Sequence, residues 1–298
     1  MIGLLSQNNS FIYALFEFEF LQYAFITGVV IGVLSPLIGA FVVIRRLSFI
    51  ADTLSHFSLA GLAMGLYFIN ILGFTLISDP IYIAMIFSII GALLIEVLRG
   101  FYKNYKEISM PIVMSLGTAL SALFISLSGG FNTSIYNYLF GSILTVSRDH
   151  VIMMLLTAGI VFLLIGFYYK EMVIISFDES YAKLLGIKVN RFQFVSTLVL
   201  AAVVSLSLET VGVLLVSSLM IIPVAAAMKI GKSFKNTVFI AIFFSEISII
   251  GGLWISFELG IASGATIVLI NLAILVMVGF VKRFFMKKNL EKKQSTLE

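Results

Sequence analysis

From residue 20 to residue 281 the chain is a succession of apolar stretches, each about the length that crosses a lipid bilayer. A spanning helix needs about 20 mainly apolar residues, and hydrocarbon offers no water to satisfy an open backbone. Such stretches fall at 20–44, 50–70, 80–98, 110–128, 150–169, 191–208, 211–228, 236–256 and 261–281. Only Glu209 and Thr210 divide the sixth from the seventh. That pair reads as two spans or as one broken helix with a re-entrant piece, so the count is eight or nine, with nine preferred. Composition agrees: with 60% hydrophobic and 11% charged residues, too few polar side chains exist to cover a water-soluble surface. This excludes a soluble enzyme, a nucleic-acid binder and a disordered chain. The absence of Cys excludes a disulfide scaffold, a thiolate metal site and a Cys nucleophile. The expected fold is an all-α integral membrane protein, a polytopic bundle of eight or nine transmembrane helices.

The basic residues orient the bundle. Of the 19 Lys and Arg, all but Arg148 follow the first, third, fifth, seventh and ninth spans, on one side of a nine-span chain. Because basic residues concentrate on the cytoplasmic side, the N-terminus is expected outside and the C-terminus in the cytoplasm, with the chain multi-pass in the cell membrane. The pI of about 9.2 is then a cytoplasmic rim facing lipid rather than a nucleic-acid surface. Residues 1–19 lack the basic start of a signal peptide and read as an extracytoplasmic, interfacial lead-in, with Phe11, Tyr13, Phe16, Phe18 and Phe20 suited to the headgroup zone. Residues 20–282 form one transmembrane domain, and 283–298 a polar cytoplasmic tail.

Gly231-Lys232-Ser233 imitates the end of a phosphate-binding loop, but that motif needs a Gly five residues before its second Gly, where Ala226 stands. The chain therefore carries no visible ATP site. The pairs Gly28/Gly32, Gly61/Gly65 and Gly260/Gly264 suit close helix packing.

Ionisable residues inside a bilayer are costly, so each needs a reason. Asp52 and His56 open the second span at i,i+4 spacing, on one helix face. Gly61 and Gly65 fall on the opposite face, free to pack tightly. A carboxylate and an imidazole on adjacent turns are half of a first-row metal site. They are equally an Asp–His hydrogen bond that positions a helix, and the pair alone leaves both readings open. Glu246, beside Ser245 and Ser248, reads first as a protonated or helix-pairing residue and second as a pathway group. Glu209 reads as a solvated helix end before a gate, and His150 as an interfacial cap before an entry ligand. Asp79-Pro80 reads as a turn, and Glu96 with Arg99 as a snorkelling pair.

The surroundings of the Asp–His pair carry a resemblance. Phe41 to His56, with Arg45-Arg46, Ala51-Asp52, Ser55-His56 and then Leu59 and Gly61, resembles the permease subunits of ABC importers for zinc, manganese or ferrous iron. Phe177-Asp178-Glu179 with Ala182, Leu185, Gly186 and Ile187 is similar to that family's cytoplasmic coupling segment. Gly212 to Ala226, through Pro223, is similar to its glycine-to-proline helix, and Gly252-Leu253, Ser256 and Gly264 also fit. The resemblance spans roughly residues 20–282.

It implies a type II importer-like permease that works as a homodimer, with a coupling helix at 178–187. Separate cytoplasmic ABC ATPase subunits would dock at Asp178, Glu179, Ala182, Leu185 and Gly186. An extracytoplasmic metal-binding protein would deliver the ion, and Asp52 and His56 would contact it in the pathway. No permanently bound cofactor and no catalysis are expected in this chain. The wording Asp-Thr-Leu-Ser-His with Leu59-Ala60-Gly61 is nearest to zinc members, with manganese and ferrous iron as alternatives. Outside that family, the same residues would suit an ATP-independent metal carrier or channel, or a permease for a chelated metal.

Overall fold

The computed structural model describes residues 11–70, 79–102, 105–130, 133–142 and 146–294; the side chains of 12, 70, 134, 209 and 285–294 are outside that description. The start of the lead-in (1–10), Lys103 and the end of the tail (295–298) therefore lie outside the described residues. Every regular element among the described residues is helical: α1 (Phe11–Glu17), α2 (Glu19–Ile44), α3 (Phe49–Asn70), α4 (Ile81–Phe101), α5 (Ser109–Leu127), α6 (Thr133–Phe140), α7 (Arg148–Phe177), α8 (Glu179–Leu184), α9 (Val189–Val211), α10 (Val216–Ala227), α11 (Phe234–Leu259) and α12 (Ser263–Gln294). A 3-10 turn at Lys106–Ile108 leads into α5. Eight helices are long and apolar enough to span a bilayer, and α10 is a shorter apolar one.

Helix α3 is the axis of the bundle: 78% of its spanning stretch is buried, against 22% for α7 at the periphery. Small residues let its neighbours approach. Gly61 lies against the Ile83 carbonyl and Phe87 of α4, and Gly117 of α5 lies against the backbone of Phe57. On α2, Gly28 and Gly32 face Ile249 and Glu246 of α11, and Gly39 faces the Met220 carbonyl of α10. In lipid, where the hydrophobic effect does not drive helices together, such close backbone approach supplies the packing. Gly260 and Gly264 do not form a packing pair: Gly260 ends α11 in the left-handed region, and Gly264 belongs to α12.

The chain breaks later than the polar pair suggests. Glu209 and Thr210 lie inside α9, which runs on to Val211. Gly212 then takes φ 89°, a conformation that L side chains rarely adopt. The Val213 and Leu214 amides donate to the Tyr138 and Leu139 carbonyls at 3.0 and 3.3 Å, outside any helix. Gly141, just after α6, and Gly264 of α12 press on the same junction, with the Val211 carbonyl against both. The following helix has 12 residues, about 18 Å of rise, too short to span about 30 Å of hydrocarbon. Its far end nevertheless reaches the opposite side of the bundle. Phe234, just after it, packs at 5.1 Å on Phe41 near the end of α2 and at 6.2 Å on Phe177 at the end of α7. The chain thus passes through the bundle nine times on eight long helices, the seventh passage starting from a recessed turn.

Two smaller expectations change. Phe11 is buried edge-on against Phe257, 5.7 Å between ring centres, instead of sitting in the headgroup zone, whereas Tyr13 and Phe16 are exposed. Residues 128–150, read only as a connection, contain α6, whose last carbonyls anchor the Gly212 junction.

Candidate metal pathway and coupling helix

From Ile50 to Ala63 every residue of α3 is buried except Asp52 and His56. Within this stretch of the most enclosed helix the predicted pair alone is part-exposed. Hydroxyls fix the rotation of α3 that produces this. Thr53 Oγ donates to the Phe49 carbonyl at 2.8 Å and the Met110 carbonyl at 3.3 Å. Ser58 Oγ donates to the Ala84 carbonyl at 3.3 Å, and Ser121 Oγ to the His56 carbonyl at 3.1 Å. Helices α4 and α5 thus hold α3 through its hydroxyls and the His56 carbonyl.

No Asp52–His56 hydrogen bond forms among the described residues. Asp52 Oδ1 instead accepts from Ser217 Oγ, in the first turn of α10, at 3.2 Å. His56 Nδ1 is buried with no hydrogen-bond partner. A carboxylate tethered on one oxygen and an imidazole with an unspent nitrogen form a donor set suited to a divalent first-row ion. No third His, Asp or Glu joins them among the described residues. Ser217 was not singled out from the sequence. It stands in the Gly212–Ala226 stretch, where serines bond their own helix as often as a neighbour.

The other ionisable residues stand elsewhere. Glu246 abuts Gly32 in the α2–α11 contact, with Oε1 buried and unpartnered. Glu209 has its backbone in α9, and its side chain is outside the described residues. His150 is buried at 3% exposure in the first turn of α7 and is not an interfacial cap; Ser147 does the capping, accepting from the His150 amide at 3.3 Å. Arg99 does not snorkel: it is 7% exposed and bound to Glu96 at 2.7 Å, while Thr197 of α9 also donates to Glu96 at 3.0 Å. The partner on α9 draws the pair inwards. Asp79 closes its turn by accepting from the Ile81 amide at 3.0 Å.

At the basic end, residues 178–187 form a capped short helix. Asp178 Oδ1 accepts from the Ser180 and Tyr181 amides at 2.9 Å, satisfying two of the open N–H groups of α8. Gly186, at φ 77°, ends the turn, its amide donating to the Lys183 carbonyl and that of Ile187 to Ala182. Ala182 is fully buried with Ile175 and Val189, pinning α8 to α7 and α9. Glu179 is bridged to Lys183 at 2.8 Å and to Lys106 at 3.2 Å. Burial pushes the Glu179 carboxyl up, but these two lysines outweigh it and hold it below its usual range. The outer surface is apolar and open, with Tyr181, Leu184 and Leu185 at 53%, 86% and 52% exposure. Of these, Leu184 was not among the sequence candidates.

Residues 17–282 match the ABC 3 transport family. The chain is 32% identical over 265 residues to the manganese transport system membrane protein MntC of Listeria monocytogenes, covering 87% of this chain and 90% of that one. It is 27% identical over 266 residues to the high-affinity zinc uptake system membrane protein ZnuB of Haemophilus influenzae, covering 89% and 98%. In structure it is similar to PsaBC from Streptococcus pneumoniae, solved in complex with Fab, with a TM-score of 0.79, 28% identity and 97% and 100% coverage. With the match running from before the first span to the end of the last, the chain belongs to the ABC 3 transport family, as a multi-pass membrane permease.

Proposed function

We propose that this metal-transport permease imports a divalent transition-metal ion into the cytoplasm, with Asp52 and His56 as its transient ligands. The observation that carries the reading is the part-exposure of these two side chains alone within the otherwise buried Ile50–Ala63 stretch of α3. Two ligands per chain fall short of the four that a tetrahedral ion takes, and a second copy of the chain supplies the same pair across a two-fold axis. ATP would be hydrolysed by separate ABC ATPase subunits docked on the exposed face of α8, and an extracytoplasmic metal-binding protein would deliver the ion. The basic end, with α8, then faces the cytoplasm.

Zinc is the proposed cargo, on the wording of the α3 motif. Manganese is the second reading, favoured by the higher identity to the manganese-named relative. Carboxylate and imidazole donors suit both ions. The test is ATP-dependent uptake by the permease reconstituted with its ATPase, with ⁶⁵Zn and ⁵⁴Mn each competed by the other unlabelled ion. Uptake of ⁶⁵Zn resistant to excess Mn²⁺ supports zinc, and ⁵⁴Mn uptake resistant to Zn²⁺ replaces it with manganese. Uptake of either ion without ATP would contradict the importer reading altogether.

A further inference from the structure

Three cavities meet at the basic end of the bundle. The first, about 280 Å³, is lined by Arg45, Arg46, Arg99, Lys106 and the acidic residues Glu107 and Glu179. The second is a narrow neck of about 50 Å³ that shares Arg45, Ile175 and Ser176 with the first. The third is an open groove of about 600 Å³ between α7 and α9, which shares Met172, Phe192 and Ser196 with the neck. The groove runs from Ile187 past Val195 to Val161, mostly along aliphatic side chains, with Lys188, Arg191 and Glu171 at its mouth.

Four basic residues line the first cavity against two acidic ones, Glu107 and Glu179. Glu179 is taken by Lys106 and Lys183, and Glu96, behind Arg99, is taken by Arg99 Nη1. Arg99 is 93% buried, yet its Nε and Nη2 have no hydrogen-bond partner. The Arg45 side chain makes no hydrogen bond or ion pair with any described residue. Burial and the Arg99 charge beside it push the Arg45 guanidinium below its usual pKa, against the opposing pull of Glu179 and Glu96. Arg46 holds a left-handed backbone, φ 57°, at the helix end where glycine is usual. Buried guanidinium N–H groups without acceptors, such as Arg99 Nε and Nη2, are expensive, and guanidinium planes match phosphate oxygens two at a time.

We propose that this composite cavity is a binding site for an anionic phospholipid, with the headgroup phosphate between Arg45 and Arg99 and an acyl chain in the α7–α9 groove. The continuity of the cationic pocket with the apolar groove selects a lipid over a free anion, which would use only the pocket. Basic pockets between spans are a recurrent form of headgroup recognition. The bound phosphate ties the turn that begins α3 to the end of α4, beside the Lys106–Glu179 bridge that holds α8.

The experiment is native mass spectrometry of the full-length permease released from micelles doped equally with phosphatidylglycerol and phosphatidylcholine. The wild type retains phosphatidylglycerol with about tenfold preference, the scale of one charge-assisted hydrogen-bonded contact. Arg45→Gln, at a half-exposed turn, brings the preference close to parity. Val195→Trp fills the groove and loses the lipid with both arginines intact. Arg283→Gln removes an exposed charge elsewhere on the basic side and changes nothing. Equal retention of the two lipids by the wild type, or full preference kept by Arg45→Gln, overturns the proposal. Displacement of phosphatidylglycerol by millimolar inorganic phosphate with Val195→Trp silent also overturns it, in favour of a free-anion pocket.

Discussion

Ser217→Ala isolates the contact that joins the short helix α10 to the metal face of α3. The serine hydroxyl donates to Asp52 Oδ1, leaving the second carboxylate oxygen for the ion in the proposed site. Hydrogen bonds to charged groups contribute about 1.5–3 kcal/mol, and a bond that orients a metal ligand is worth about 10–100-fold in affinity. The observed 3.2 Å is long beside the 2.5–2.7 Å of strong hydroxyl–carboxylate bonds, which selects the lower end. The expected outcome is about a tenfold rise in the metal concentration giving half-maximal uptake, with the maximal rate little changed. Ser217→Thr keeps a hydroxyl and restores most of the affinity. The assay is initial-rate ⁶⁵Zn or ⁵⁴Mn uptake in proteoliposomes containing the ATPase, across a range of free metal. An unchanged or lower half-saturation in Ser217→Ala would refute the reasoning, because it would mean that the hydroxyl competes with the ion or does not touch the pathway.

Other outcomes follow from the same geometry. Gly186→Leu forces a side chain onto a left-handed backbone, and Glu179→Lys reverses the charge facing Lys106 and Lys183. Both variants are expected to assemble yet hydrolyse ATP without moving metal, and normal coupling in both, measured as metal moved per ATP, counts against α8 as the docking element. Gly212→Ala adds a methyl at φ 89° where the Gly141 amide and Leu139 carbonyl already stand within 2.5 Å, so it costs at least about 1–2 kcal/mol and lowers the midpoint of thermal aggregation in detergent. An unchanged midpoint would show that the junction yields freely. In the Cys-free chain, Lys232→Cys is labelled by an impermeant maleimide only from the cytoplasmic side, and labelling only from outside inverts the topology.

The spans were legible because each carries its own signal: apolar length sets them regardless of what they pack on. The placing of Asp52 and His56 on one helix face was legible as i,i+4 spacing, whereas the short helix α8 was expected only from the resemblance of residues 177–187 to a family segment. Gly212 was misjudged because its cause is tertiary. Polar Glu209 and Thr210 suggest a helix end only if water meets them there, whereas the actual break is imposed by Gly141 and Gly264, distant in sequence. Arg99 likewise has the position of a snorkelling residue, and only Thr197 on α9 turns its partner Glu96 inwards. Ser217 and Arg45 gain meaning from what faces them, which no window of sequence contains.

The central claim is that His56 binds the ion, and the chain holds only one other histidine, His150. X-ray absorption at the metal edge of the loaded permease, compared among wild type, His56→Ala and His150→Ala, tests it most directly. Imidazole scattering, with a nitrogen at about 2.0–2.1 Å for zinc, is expected in the wild type and in His150→Ala, and absent from His56→Ala. Imidazole scattering that survives His56→Ala and vanishes in His150→Ala would place the ion at the first turn of α7 and contradict the account.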